Sequence, residues 1–178
     1  PCQSSAASDV YKRQVIIIIG DKMPKSFKDK TIPKFKLKAT GDKTISSEDF
    51  KGRNLIIYFY PKDSTPGCTL EGQDFRDNYK KFQSLDTDIL GVSRDSLKSH
   101  ENFKAKQEFP FDLLSDPDEK MCKAFDVMQM KSMYGKEYMG VDRSTFLIDK
   151  KQKVVKEWRK VKVKGHVDEV LSAVEEIS

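Results

Sequence analysis

The 178-residue sequence contains very little cysteine and histidine. Its three cysteines, Cys2, Cys68 and Cys122, are too few and too scattered for a disulfide framework. We therefore expect a reducing compartment, the cytoplasm, where a lone cysteine serves either packing or chemistry. The two histidines, His100 and His166, leave little scope for a histidine-rich metal site or a serine–histidine relay.

The sequence also lacks a long hydrophobic run near its start. The apolar run at residues 15–19 is far shorter than the ~20 residues that cross a bilayer, and it is short for the core of a signal peptide. The segment that contains it includes "SSAASDVYKRQ", which resembles translated adapter or read-through sequence. We therefore expect residues 1–22 to be a non-native or disordered extension and residues 23–178 to form the domain.

The charge is moderately positive, with a formal net charge of +5. The densest basic stretch is Lys156–His166. A nucleic-acid surface would combine such a patch with stacking aromatics, whereas lysines on a solvated strand edge discourage pairing between molecules. We favour the strand edge and expect neither nucleic acid nor a membrane as a partner.

Hydrophobic periodicity predicts helices that alternate with strands and a late hairpin. The continuous apolar run Asn54–Tyr60 predicts a central strand that is buried on both faces. Further strands are predicted at 34–40, 87–95 and 111–116, a helical turn within 41–53, helices at 96–109, 117–127 and 166–177, and a hairpin of 144–149 with 153–161. Ser96 is the predicted N-cap of its helix, and Pro117 the first residue of the next. This order predicts an α/β fold with a mixed sheet and helices on both faces.

From Cys68 onward the apolar residues recur at helical spacing, which predicts an amphipathic helix with one buried face. That face is formed by Cys68, Gly72, Phe75, Tyr79 and Phe82. Cys68 then lies in the first helical turn, where free backbone N–H groups favour the nucleophilic thiolate. The preceding Pro66 and Gly67 stiffen the chain and allow close approach of the backbone. The alternative is a small buried hydrophobic residue.

The segment "YFYPKDSTPGCTLEGQDFRDNY" resembles peroxiredoxins, in particular the bacterioferritin-comigratory (BCP, or PrxQ) subfamily. Its Pro-x-x-x-Thr-x-x-Cys signature corresponds to Pro61, Thr65 and Cys68. The resemblance continues, in order, through "LGVSRDSLKSHENFKAK", "FDLLSD", "YMGVDRSTFLID" and "WRKVKVKGHVDEVL". It implies a thioredoxin-like fold and a monomeric, thioredoxin-dependent peroxidase for hydrogen peroxide and organic hydroperoxides, which acts in antioxidant defence and redox homeostasis without a cofactor or metal.

The same resemblance implies the roles of the site residues. Cys68 would be the peroxidatic cysteine, whose thiolate attacks the terminal peroxide oxygen and becomes a sulfenic acid. Thr65 would hydrogen-bond the thiolate and the peroxide, and Arg143 would stabilise the thiolate and polarise the peroxide bond. Pro61 would shield the pocket from water, and the backbone N–H groups around Gly67 would complete it.

Glu71 and Arg76 match further subfamily positions, and we predict that they support the site; the alternative is an exposed helix pair. The methionine-rich segment 128–140 is predicted to be a flexible lid over the pocket, with a peroxide scavenger or a partner surface as alternatives.

Many members of the subfamily carry a resolving cysteine five residues after the first, where this chain has Gln73. Three outcomes stay open: an external thiol attacks the sulfenic acid directly, Cys122 resolves it, or Cys2 does. We favour the external thiol, because Cys122 fits a packed helix face and Cys2 belongs to the front extension.

Three other functions are weaker predictions. A thioredoxin-like disulfide reductase needs Cys-x-x-Cys, and position i+3 from Cys68 is Glu71. The Gln and Trp motifs of a glutathione-peroxidase-like enzyme are not found. A non-enzymatic binding or holdase role would use the basic surface or the methionine-rich segment.

Overall fold

A seven-stranded sheet forms the centre of the molecule in the computed structural model, which describes residues 23–178. The strands are β1 (Lys36–Ala39), β2 (Lys43–Ser46), β3 (Asn54–Phe59), β4 (Thr87–Ser93), β5 (Asp112–Ser115), β6 (Met128–Met133), β7 (Lys136–Val141), β8 (Ser144–Ile148) and β9 (Val154–Trp158). The helices are α1 (Pro66–Asp77), α2 (Tyr79–Ser84), α3 (Leu97–Gln107), α4 (Lys120–Ala124) and α5 (His166–Ile177), and a 3-10 turn covers Ser47–Phe50. The predicted front extension, with Cys2, lies outside the described residues.

The strand order in the large sheet is β2-β1-β5-β4-β3-β8-β9, and β6 pairs with β7 as a separate hairpin. β3 runs parallel to β4 and antiparallel to β8, which confirms the predicted mixed sheet. The predicted hairpin is β8 with β9, and β9 is an edge strand, as expected for the basic stretch that begins there.

Two hydrophobic cores lie on opposite faces of β3, because successive residues of a strand point to opposite sides. Leu55, Ile57 and Phe59 belong to the core that contains α4. Ile56 and Tyr58 belong to the core that contains α1, α2, α3 and α5. Every residue of β3 is buried, as the continuous apolar run predicted, and helices cover both faces of the sheet.

The predicted helix from Cys68 to Phe82 is in fact two helices. Asn78 leaves the helical conformation at φ −104° and ψ 4°, and its side-chain amide donates to the Asp74 carbonyl at 2.8 Å. Tyr79 and Phe82 therefore continue the pattern from α2. An asparagine side chain that hydrogen-bonds the backbone competes with the helix in this way.

Two local predictions are wrong in detail. Pro117 does not begin a helix: α4 begins at Lys120, after Glu119 in the left-handed region at φ 61°. The segment 41–53 contains strand β2 before its helical turn, and the polar sequence of β2 concealed it. The predicted cap is confirmed, because the Ser96 hydroxyl accepts a hydrogen bond from the Ser99 N–H at 3.2 Å.

The methionine-rich segment, predicted to be a loop that forms a flexible lid, is the paired hairpin β6–β7. Its two-residue turn is Tyr134–Gly135, and both residues have positive φ, 53° and 77°. Such turns match the twist of paired strands, which explains the regular pairing. Within residues 23–178, no helix combines the length and apolarity needed to cross a membrane.

Candidate active site

The candidate site lies where the loop after β3 enters α1. Thr65 is the extended N-cap residue, Pro66 occupies the first helical position, and the Thr69 N–H donates to the Thr65 carbonyl at 2.9 Å. Proline suits that position because its missing N–H would have no helical partner. Cys68 therefore lies in the first turn of α1, and it is only 2% exposed.

Arg143 reaches Cys68 from the far end of the sequence. Its Nη2 lies 3.4 Å from the Cys68 Sγ. Ser144, at the start of β8, pairs with Phe59 at the end of β3, so Arg143 enters beside the loop that precedes α1. A Cβ atom at Gly67 would lie 3.2 Å from Nη2, so glycine leaves the room that the guanidinium occupies.

Glu71 is the second partner of Arg143. Its Oε1 accepts a hydrogen bond from Nη1 at 2.9 Å, and its side chain is fully buried. Burial raises the pKa of the Glu71 carboxyl to about 7, although Arg143 acts in the opposite direction. Cys68 and Glu71 are buried one turn apart on α1, and Arg143 joins them into a single cluster.

Glu71→Gln is expected to flatten the pH dependence of stability. The pKa of Glu71 is raised from 4.5 to about 7, so the folded protein holds a proton that the unfolded chain releases in this range. The resulting stability is full below about pH 4.5 and is lost as the pH rises through about 7. Urea unfolding at several pH values measures the difference between wild type and Glu71→Gln. The exposed Glu176→Gln is the control, and a wild-type slope in Glu71→Gln would contradict the assignment.

Thr65 and Pro61 both lie in the loop that leads into α1. The Thr65 hydroxyl donates to the Lys62 carbonyl at 2.9 Å, which uses its one hydrogen within the loop. To donate to a thiolate or a peroxide instead, the Thr65 hydroxyl would have to rotate away from the Lys62 carbonyl. Pro61 is half-buried at the entrance of the same loop.

Arg76 does not join the cluster. Its guanidinium donates to the Gln107 carbonyl at 2.8 Å and to Asp77 at 3.0 Å. Gln73, at the position of the missing cysteine, donates to the Gln107 side chain at 2.9 Å. Both residues therefore fasten α1 to the end of α3, and Arg76 supports the helix rather than the sulfur.

Cys122 lies in the other core from Cys68, on the opposite face of the sheet. Both are free thiols. Burial, with the nearby Asp116 carboxylate, raises the pKa of the Cys122 thiol far above its usual range. The structure places the two sulfurs in separate cores, and burial disfavours the thiolate form of Cys122.

Cys122→Ser is accordingly expected to keep the peroxide reaction of Cys68 within about twofold, since burial and Asp116 outweigh Arg94 and disfavour the Cys122 thiolate. The wild type should show no Cys68–Cys122 disulfide by peptide mass spectrometry after peroxide treatment, and Cys122→Ser, which cannot form it, gives the reference spectrum. Appearance of that disulfide in the wild type would show that Cys122 resolves the sulfenic acid.

Two residues near the cluster were not predicted from the sequence. Tyr58 stacks on Phe75 with ring centroids 4.6 Å apart, and burial, then Glu71 and Cys68, raise its hydroxyl pKa well above the usual range. The His166 Nε2 lies 2.8 Å from the Thr145 hydroxyl, and burial, then Arg143, lower its pKa to about 4. The alternation of β3 could have revealed Tyr58, because it places Tyr58 on the face that α1 covers.

The chain is similar to several known proteins. The sequence profile of the AhpC/TSA family matches residues 29–157. Peroxiredoxin Bcp of Bacillus subtilis (strain 168) is 51% identical over 146 residues, which cover 82% of this chain and 93% of the relative. Peroxiredoxin Bcp of Xanthomonas campestris is 59% identical over 123 residues, 69% of this chain and 77% of the relative.

A solved structure of the Xanthomonas campestris bacterioferritin comigratory protein matches with a TM-score of 0.77 and 52% identity. The match covers 80% of this chain and 90% of that one, and that protein is described as having alkyl peroxide reduction activity. The chain belongs to the AhpC/TSA family. Its fold is the thioredoxin fold, its relatives are the BCP/PrxQ peroxiredoxins, and it is a thiol-dependent peroxidase. The disulfide-reductase and holdase alternatives gain no support.

Proposed function

We propose that this peroxiredoxin reduces hydrogen peroxide and organic hydroperoxides through Cys68 and that an external thiol completes each turnover. The observation that carries the proposal is the Arg143 guanidinium, 3.4 Å from the Cys68 sulfur at the start of α1. The alkyl peroxide activity described for the Xanthomonas campestris relative supports the organic substrates.

The first half-reaction is a displacement on oxygen. The Cys68 thiolate donates an electron pair to the terminal peroxide oxygen, the O–O bond breaks, and the departing oxygen takes a proton to leave as water or an alcohol. Cys68 becomes a sulfenic acid. Arg143 places a fixed positive charge and donor hydrogens beside the sulfur, where negative charge passes from sulfur to the leaving oxygen.

The second half-reaction requires a thiol from outside the domain. No second cysteine lies on the Cys68 face of the sheet in the part of the chain that the structure describes. A thiol condenses with the sulfenic acid and releases water, and a second thiol then cleaves the mixed disulfide and restores Cys68. We propose thioredoxin or another small thiol as this reductant, a monomer as the working unit, and the cytoplasm as the location, consistent with two free thiols.

Intact-mass spectrometry after one equivalent of peroxide tests this scheme. We expect the mass of one added oxygen atom, its loss on addition of reduced thioredoxin, and a trapped mixed disulfide with a monothiol. An intramolecular disulfide, or no change in mass, would contradict the scheme. Hydrogen peroxide and a tertiary alkyl hydroperoxide are compared in parallel to test the substrate range.

A further inference from the structure

A buried carboxyl group lies in the loop between β3 and α1, apart from the Cys68 cluster. Asp63 is only 5% exposed, whereas its neighbours Lys62 and Ser64 are exposed. Ser64 adopts a positive φ of 62°, so the chain turns sharply after Asp63. A carboxyl group that the loop directs inward must be held by hydrogen bonds, because its burial is otherwise costly.

Four hydrogen bonds hold Asp63. Its carboxylate accepts from the Tyr60 hydroxyl at 2.6 Å and from the Ser99 hydroxyl at 2.8 Å, and it shares a hydrogen with the His100 Nδ1 at 2.7 Å. Its backbone N–H donates to the Asp95 carboxylate at 2.9 Å. The loop is therefore attached to the C-terminal ends of β3 and β4 and to α3.

His100 extends this attachment into the sheet. Its ring is fully buried, and its Nε2 lies 2.9 Å from the Leu114 carbonyl of β5. A carbonyl can only accept, so Nε2 carries a hydrogen, and the bond between Nδ1 and the Asp63 carboxyl group uses a second hydrogen, held by one of these two groups. One imidazole thus connects the loop to a strand in the middle of the sheet.

Asp63 lies two residues before Thr65. The Thr65 hydroxyl donates to the Lys62 carbonyl, and the Thr65 carbonyl accepts the first helical bond, from Thr69. Both groups take their positions from the loop backbone that Asp63 holds. From these contacts we infer that Asp63 and His100 are positioning residues, which hold Thr65 against the first turn of α1 so that a peroxide aligns with the Cys68 sulfur. The inference rests on the proposed peroxidase reaction at Cys68.

The test separates peroxide alignment from the general reactivity of the thiol. Asp63→Asn keeps the size of the side chain but presents an NH2 group to donors that need an acceptor. We expect its rate constant with hydrogen peroxide to fall about tenfold, since small misplacements of reacting groups have large kinetic effects. Its rate constant with iodoacetamide, which needs no alignment by the loop, should stay within about twofold of wild type. His100→Gln should shift the same ratio in the same direction.

Asp112→Asn is the matched control. Asp112 also accepts bonds from three side chains, those of Thr40, Lys43 and Lys104. It joins β5 to the end of β1, to β2 and to α3 without a hydrogen bond to the loop. Asp112→Asn should keep the wild-type ratio of the peroxide rate constant to the iodoacetamide rate constant, whatever its effect on the melting temperature. If Asp63→Asn shifts the ratio no more than Asp112→Asn, the inference is overturned.

A milder variant covers the case in which Asp63→Asn does not fold. Ser99→Ala removes one of the three side-chain donors to Asp63 and leaves the other two. It should lower the peroxide rate about threefold relative to the iodoacetamide rate, and an unchanged ratio overturns the inference. A wild-type Cys68 that fails to react with peroxide at all would instead refute the proposed function, so the two failures are distinguishable.

Discussion

Cys68→Ser is expected to lower the second-order rate constant for peroxide consumption by about 10⁴-fold or more. Without the nucleophile, only the weak catalysis by the surrounding groups of the site remains. Serine is close to cysteine in size, but it forms no thiolate and therefore has no electron pair of comparable nucleophilicity for the peroxide oxygen. The surrounding geometry should persist, because Cys68 is a small buried residue in the first turn of a well-packed helix.

Peroxide consumption coupled to thioredoxin and its reductase measures this loss, and equilibrium unfolding shows whether the fold is retained. Cys122→Ser is the matched control, because it makes the same atomic change at an equally buried cysteine on the other face of the sheet. Activity in Cys68→Ser equal to that of Cys122→Ser would mean that the peroxidase reaction does not take place at Cys68.

Arg143→Met should produce the second-largest loss, about 10²–10³-fold in the peroxide rate constant, the usual effect of removing an oriented donor from a reacting centre. Methionine fills much of the arginine volume but brings neither charge nor N–H groups to the sulfur. Arg143→Lys should recover only part of the loss, because a single ammonium cannot bond Cys68 and Glu71 in the fork geometry of the guanidinium.

The same variant makes a second, independent prediction. Without Arg143 the burial of Glu71 is no longer offset by a cation, so the pKa of Glu71 should rise above about 7. Stopped-flow mixing with peroxide gives the rate, and a carboxyl infrared band followed against pH gives the titration. Arg53→Met is the control, because Arg53 pairs with Asp88 and Asp86, outside the Cys68 cluster. A peroxide rate like that of the control would exclude Arg143 from the reaction.

The buried strands of the large sheet and the start of α1 could be predicted because their signals are local. The apolar run of β3, the proline at the first position of α1, and Ser96 at the N-cap of α3 each specify structure within a few residues. The hairpin β6–β7 was missed because its side chains are mostly exposed, so no core-facing alternation marks it, and its turn residue Tyr134 is unusual at a positive φ.

The candidate site could be predicted only where a motif or resemblance identified a residue. Arg143 and Glu71 fit that resemblance, but their hydrogen bond depends on the pairing of β8 with β3, which is a long-range contact. The Asp63–His100 hydrogen bond joins residues 37 positions apart, and no periodic pattern in the sequence indicates such a pair. Burial, which raises the pKa of Glu71 to about 7, is likewise a property of the packed fold.

The hydrogen bond between Gln73 and Gln107 stabilises a part of α1 that does not move in the proposed catalytic cycle. A resolving cysteine at position 73 could reach Cys68 only if the helix unwound in every cycle, so a stiffer helix would slow such an enzyme. Here no step of the proposed cycle moves position 73. Substitutions that strengthen the C-terminal half of α1 should therefore raise thermal stability without the loss of activity that usually accompanies a more rigid active site.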